Sequence, residues 1–170
     1  MATRVNVILM RGLAGNYYSR GLDSLGAKLA KLPNVDYTTV EGYEAWRSIM
    51  DRITRFKDPT VIGGHSFGAN AATKIAAALV GKKNIPLLLS VDASQYWAWR
   101  LMQSGPSLIT PNVKKVVNQY QTSGLIGRQV LRRVNGSLAS IQNLPVNSSH
   151  TAIDDLDLVH KTAIEAVKSL

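Results

Sequence analysis

One stretch limits what this chain can fold into more than any other: Val61-Ile62-Gly63-Gly64-His65-Ser66-Phe67-Gly68-Ala69-Asn70. It reads Gly-x-Ser-x-Gly about Ser66. A β-branched run (Thr60, Val61, Ile62) leads in, and an alanine-rich, helix-forming run over 69–80 leads out. Strand, tight turn and helix are the context of a nucleophile elbow, which holds a serine in a strained backbone conformation with its hydroxyl clear of the sheet. Gly64 and Gly68 suit that turn, because a Cβ at either would strike the neighbouring strand or helix. The same turn aims the Phe67 N–H at the reacting centre, where the positive end of the new helix faces any oxyanion.

The rest of the chain must supply a sheet to carry such a turn. At 170 residues it is long enough for one domain with a real core, so residues 1–170 read as a single domain. Taken in order, 4–10 is a nearly continuous apolar strand, as expected when both faces are buried. A glycine-bearing loop follows over 11–16. Leu22, Leu25, Leu29 and Leu32 recur at helical spacing and stop at Pro33. Residues 35–40 form a second strand, and 44–56 an amphipathic helix with Trp46, Ile49, Met50 and Ile53 on one face. Beyond the elbow, Gly81 suits a C-cap, 85–91 is the fourth strand, and 93–111 is irregular. Residues 113–120 form the fifth strand, 121–137 a glycine-punctuated connection, 139–146 a weak sixth strand and 156–167 the last helix. Strands alternating with helices imply a parallel α/β sheet.

Composition narrows the chemistry. There is no cysteine, which excludes disulfides, thiolate nucleophiles and thiolate metal sites. No apolar run is long enough to span a bilayer. The first residues enter a strand without a signal-peptide core, which points to the cytoplasm. The net charge of +9 points toward an anionic partner, though the basic residues are dispersed pairs rather than a run.

A serine hydroxyl needs a base within hydrogen-bond reach, and the base needs an orienting acid. Of the three histidines, His65 adjoins Ser66, but an elbow turns that side chain away, so its role is structural. His160 lies on the apolar face of the last helix and reads as packed core. His150 follows the last strand in a small-residue loop, at the sheet edge where active sites gather, and is the candidate base. Asp92 follows the fourth strand directly and is the candidate acid. The order Ser66, Asp92, His150 is that of an elbow-type hydrolase. Asp154 and Asp155 compete for the acid, but their spacing suits capping of the last helix. The loop Gly12-Leu13-Ala14-Gly15 should lie beside the elbow, so the N–H groups of Leu13 and Phe67 are the candidate oxyanion donors. Tyr17, Tyr18, Trp97 and Trp99 are candidates to line the substrate pocket.

On Arg11-Gly12-Leu13-Ala14-Gly15, Gly64-His65-Ser66-Phe67-Gly68, Val91-Asp92 and Ser149-His150-Thr151, the chain resembles the small α/β-hydrolases, namely minimal, lidless bacterial lipases and esterases and short hydrolase-like proteins of phages and proteobacteria. The resemblance implies a three-layer α/β/α sandwich whose six parallel strands run in the order 2-1-3-4-5-6. It also implies hydrolysis of an ester or thioester without cofactor or metal. Two departures stand out: Arg11 replaces a histidine found in many lipases, and the acid follows the fourth strand rather than a later one. A second class of function stays open, a basic binding module on the same fold. Arg100, Lys114, Lys115, Arg128, Arg132 and Arg133 would then meet an anionic partner.

Overall fold

The computed structural model describes residues 4–94, 108–124 and 126–170. Six strands build one parallel sheet: β1 (Val5–Arg11), β2 (Val35–Gly42), β3 (Thr60–His65), β4 (Ile85–Val91), β6 (Val113–Gln121) and β8 (Ser140–Val146). Two short strands, β5 (Leu108–Ile109) and β7 (Arg132–Arg133), pair with each other to one side. The main order is β2-β1-β3-β4-β6-β8, so the six large strands run 2-1-3-4-5-6 as the resemblance implies.

The strand sequences explain the layers. In β1, Val7 and Leu9 face one way and Ile8 and Met10 the other, and all four are fully buried. Ile8 and Met10 pack with Ile49 and Ile53 of α3 (Trp46–Arg55) and with Ile75 and Leu79 in and beyond α4 (Phe67–Ala78). Val7 and Leu9 pack with Leu22, Leu25 and Leu29 of α2 (Gly21–Leu29), and with Ala163 and Val167 of α5 (Asp157–Lys168). Helices therefore cover both faces. The alanines of α4 let that helix lie close to the sheet. A Cβ at Gly68 would collide with the carbonyl oxygen of Met10, and one at Gly64 with the Gly68 backbone. At the far edge, β8 is buried in the middle of neither face, which is why its sequence pattern is weak.

Four local readings differ. A one-turn helix, α1 (Gly15–Tyr18), begins within the end of what reads as loop, and α2 ends at Leu29 rather than Leu32. The connection over 121–137 contains β7, whose two residues are too few to show a period. Asp154 does not cap the last helix. It sits in a 3-10 turn, Ile153–Asp155, with its side chain fully buried, and Leu156 holds the N-cap position of α5. Among the described residues, no helix is long and apolar enough to cross a membrane.

Candidate functional site

Ser66 lies between the last residue of β3 and the first of α4, with φ 58° and ψ −120°. An L-residue pays for such a backbone, and it persists only where its surroundings over-determine it. Here they do. The Ser66 N–H donates to Val91 O at 3.0 Å, and Ser66 O accepts from the N–H groups of Ala69 and Ser94 at 3.2 and 3.3 Å. The turn is thus pinned to β4 on one side and to its own helix on the other.

Asp92 follows β4 and is also held at positive φ, 42°. Its N–H donates to Gln119 O at 2.7 Å. Its carboxylate is fully buried, and Oδ1 accepts from the N–H groups of Gln121 and Arg128 at 3.1 and 2.9 Å. Gly127, at φ 82°, lies against that carboxylate, which a Cβ there would strike. A buried carboxylate needs such donors, because burial without them costs several kcal/mol, on the order of 1–3 or more. The other oxygen, Oδ2, accepts from His150 Nδ1 at 2.6 Å.

His150 lies in the turn after β8, with its side chain 18% exposed. In the neutral ring, with Nδ1–H donating to the carboxylate, Nε2 carries the lone pair. Ser66 Oγ sits 2.9 Å from that Nε2 and can donate its proton there. Ser66, His150 and Asp92, spread over 85 positions of chain, thus meet at the carboxyl end of the sheet in one hydrogen-bonded line.

The loop after β1 borders the serine. A Cβ on Gly12 would lie 2.8 Å from Ser66 Cβ and 3.3 Å from Ser66 Oγ, so only glycine lets the backbone pass. Leu13 follows on that loop, and Phe67 opens α4. Arg11 turns from the serine to an ion pair with Asp23 and a 3.3 Å bond to Val40 O. Tyr17 and Tyr18 lie in α1 and are 81% and 56% exposed, free of the core. Trp97, Trp99 and Arg100 lie outside the described residues.

One contact escaped the sequence reading. Ser94 Oγ lies 2.7 Å from Ser66 Oγ, and the Asn70 side chain donates to Ser94 O. With the Ser66 proton directed at His150, the Ser94 hydroxyl donates to Ser66. Only its position two residues past Asp92 could have signalled it.

His65 points away from Ser66 and is buried. Its pKa is pushed down to about 4, first by burial and then by the charge of His150. His160 is also held below its usual range by burial. Lys114 and Lys115 begin β6 at the amino end of the sheet, whereas the Arg128 backbone serves Asp92 at the opposite end. Arg132 and Arg133 form β7.

No family model and no curated protein matches this sequence. Solved structures do match. The chain is similar to a metagenome-derived lipolytic enzyme with a TM-score of 0.69 at 12% identity, over 100% of this chain and 96% of that one. It is similar to human thioesterase 2 with a TM-score of 0.59 at 13% identity, over 99% and 97%. It is also similar to the RedJ thioesterase of the prodiginine pathway of Streptomyces coelicolor, with a TM-score of 0.62 at 11% identity, over 99% and 87%. At such identities the likeness is one of fold.

Proposed function

We propose that this chain, a small α/β-hydrolase by fold, is a serine hydrolase that cleaves a carboxylic ester or thioester, with residues 1–170 acting as one domain. The observation that carries the reading is the single imidazole of His150, 2.9 Å from Ser66 Oγ on one side and 2.6 Å from the buried Asp92 carboxylate on the other. Each part then has a role. Asp92 fixes the His150 tautomer and stabilises the imidazolium that forms. His150 takes the Ser66 proton as Oγ attacks the carbonyl, then returns it to the leaving group. The N–H groups of Leu13 and Phe67 hold the oxyanion at the head of α4. Water, activated by the same histidine, releases the acyl group, so the scheme uses protein groups and water alone.

Support for the substrate class comes from two directions. The structural neighbours include a lipolytic enzyme and two thioesterases. Tyr17, Tyr18 and Leu13 leave exposed apolar surface on the loop and helix beside Ser66, where an acyl chain or leaving group would rest. Ser94 would steady Oγ before attack.

Turnover of a panel of p-nitrophenyl esters and acyl thioesters tests the reading. Wild-type protein should hydrolyse at least one class, and Ser66→Ala should lose about 10³-fold or more. Equal rates for wild type and Ser66→Ala, in folded protein, would overturn it.

A further inference from the structure

Beneath the site lies a second group of serine, histidine and aspartate that the scheme above leaves unused. Ser19, His65 and Asp154 are each 1% exposed, so no substrate reaches them. Their hydrogen bonds run in one direction. The carbonyl oxygen of His150 can only accept, so His65 Nε2, 2.8 Å away, is the protonated nitrogen. His65 Nδ1 then bears the lone pair and accepts the Ser19 hydroxyl at 2.8 Å. Ser19 Oγ in turn accepts the Gly12 N–H at 3.2 Å. One neutral ring therefore joins the backbone at Gly12, next to the candidate oxyanion donor Leu13, to the backbone of the candidate base.

The rings of His65 and His150 also pack against each other, with centroids 4.8 Å apart. Asp154 completes the group. It lies four residues past His150, and its Oδ1 is 3.8 Å from His65 Nδ1. Neither carboxyl oxygen makes a well-formed hydrogen bond, although the backbone N–H groups of Gly21, Leu22 and Asp154 itself face it and favour the charged form. The backbone of Asp154 is anchored separately, since its carbonyl accepts from His160 Nε2 at 2.7 Å. Burial outweighs those N–H groups and favours the carboxyl's uncharged form. In that form it leaves the His65 lone pair to Ser19. Its pKa, pushed up to about 7 chiefly by burial and then by the charge of Asp155, agrees with that.

We propose that Ser19 and His65 form a buried positioning unit that sets the distance between the oxyanion loop and His150. The proposal rests on the hydrolase reading for its effect on rate, but not for its geometry. Ser19→Ala cuts the link to Gly12 and keeps the link to His150. His65→Ala cuts both. His65→Gln places an amide N–H near the position of Nε2 and restores the link to His150. Misplacing reacting groups by a fraction of an ångström costs rate rather than ground-state binding.

The test measures kcat and KM on a p-nitrophenyl ester together with histidine-ring 15N NMR. Ser19→Ala should lower kcat about 10-fold with KM within about 2-fold, and His65→Ala should lower it about 100-fold, with His65→Gln between the two. In wild type, the His65 ring should be neutral and protonated at Nε2 at pH 7, and Ser19→Ala should shift its Nδ1 resonance. Unchanged kcat in folded variants overturns the proposal, as does a His65 ring protonated at Nδ1 at pH 7. If wild type turns over no ester or thioester, the hydrolase reading fails by itself. The NMR result then decides the unit: the stated tautomer and Nδ1 shift support it, and their absence removes it.

Discussion

At the scale of single residues, the site depends on glycines as much as on its polar groups. Gly127 shows this. It reaches φ 82° and touches the Asp92 carboxylate, yet it lends no side chain to the chemistry. Gly127→Ala is expected to push the carboxylate off His150 Nδ1 and to cut kcat/KM by about 10²-fold, with little change in KM. Steady-state kinetics on a p-nitrophenyl ester, with circular dichroism as the fold control, checks this; wild-type kinetics from Gly127→Ala would contradict it. Some residues were legible in the sequence, and physical reasons separate them from the rest. Ser66 carries a local signature, with glycines two positions to either side. Asp92 ends an apolar strand, and His150 follows the last strand, so topology alone brings both to the rim that holds Ser66. Ser19 and Asp154 carried no such mark. Ser19 meets His65 across 46 positions of chain, and that contact depends on how α2 packs, not on any local pattern.

At the scale of elements, the strand-turn-helix unit of β3 and α4 was readable because apolar runs and glycine offsets are local properties. The close seating of α4 on β1 follows from it. Gly68→Ala would drive a methyl group into the Met10 carbonyl, and backbone on both sides leaves little room to yield. Its expected cost is several kcal/mol, on the order of 3 or more, read by urea denaturation. A loss under about 1 kcal/mol would show that the helix can move away from the sheet. What the sequence hid at this scale lies at the margins. The β5–β7 pair has two residues per strand, and β8 is an edge strand of half-buried residues, so neither shows a clean period.

At the scale of the whole molecule, two buried groups set opposite pH dependences. His65 falls from 6.5 to about 4 on folding, so the native state binds its proton less well than the unfolded chain. Stability therefore rises with pH between about 4 and about 6.5, by up to about 3 kcal/mol at 1.36 kcal/mol per unit. Asp154 rises from 3.8 to about 7, so the native state binds its proton more tightly. Stability therefore falls over nearly the same range, by up to about 4 kcal/mol. The groups facing them are His150, Asp92 and, 3.8 Å from Nδ1, Asp154 at His65, and Asp155 with the backbone N–H groups of Gly21, Leu22 and Asp154 at Asp154. The wild-type melting temperature should stay nearly level from pH 4 to 7 as far as this pair decides it. Asp154→Asn removes the falling half, so its melting temperature should climb relative to wild type by up to about 8–16 °C over that interval. Parallel profiles for the two proteins would show that Asp154 is ionised in the native state.

The central claim, that Ser66 is a nucleophile made reactive by His150, is tested most directly by covalent labelling. A fluorophosphonate probe is incubated with wild type, Ser66→Ala and His150→Ala, and the adduct is mapped by peptide mass spectrometry. The account predicts a single adduct on Ser66 in wild type, none in Ser66→Ala, and labelling slowed by about 10²-fold or more in His150→Ala. An adduct on another residue, or wild-type labelling rates in His150→Ala, would contradict it.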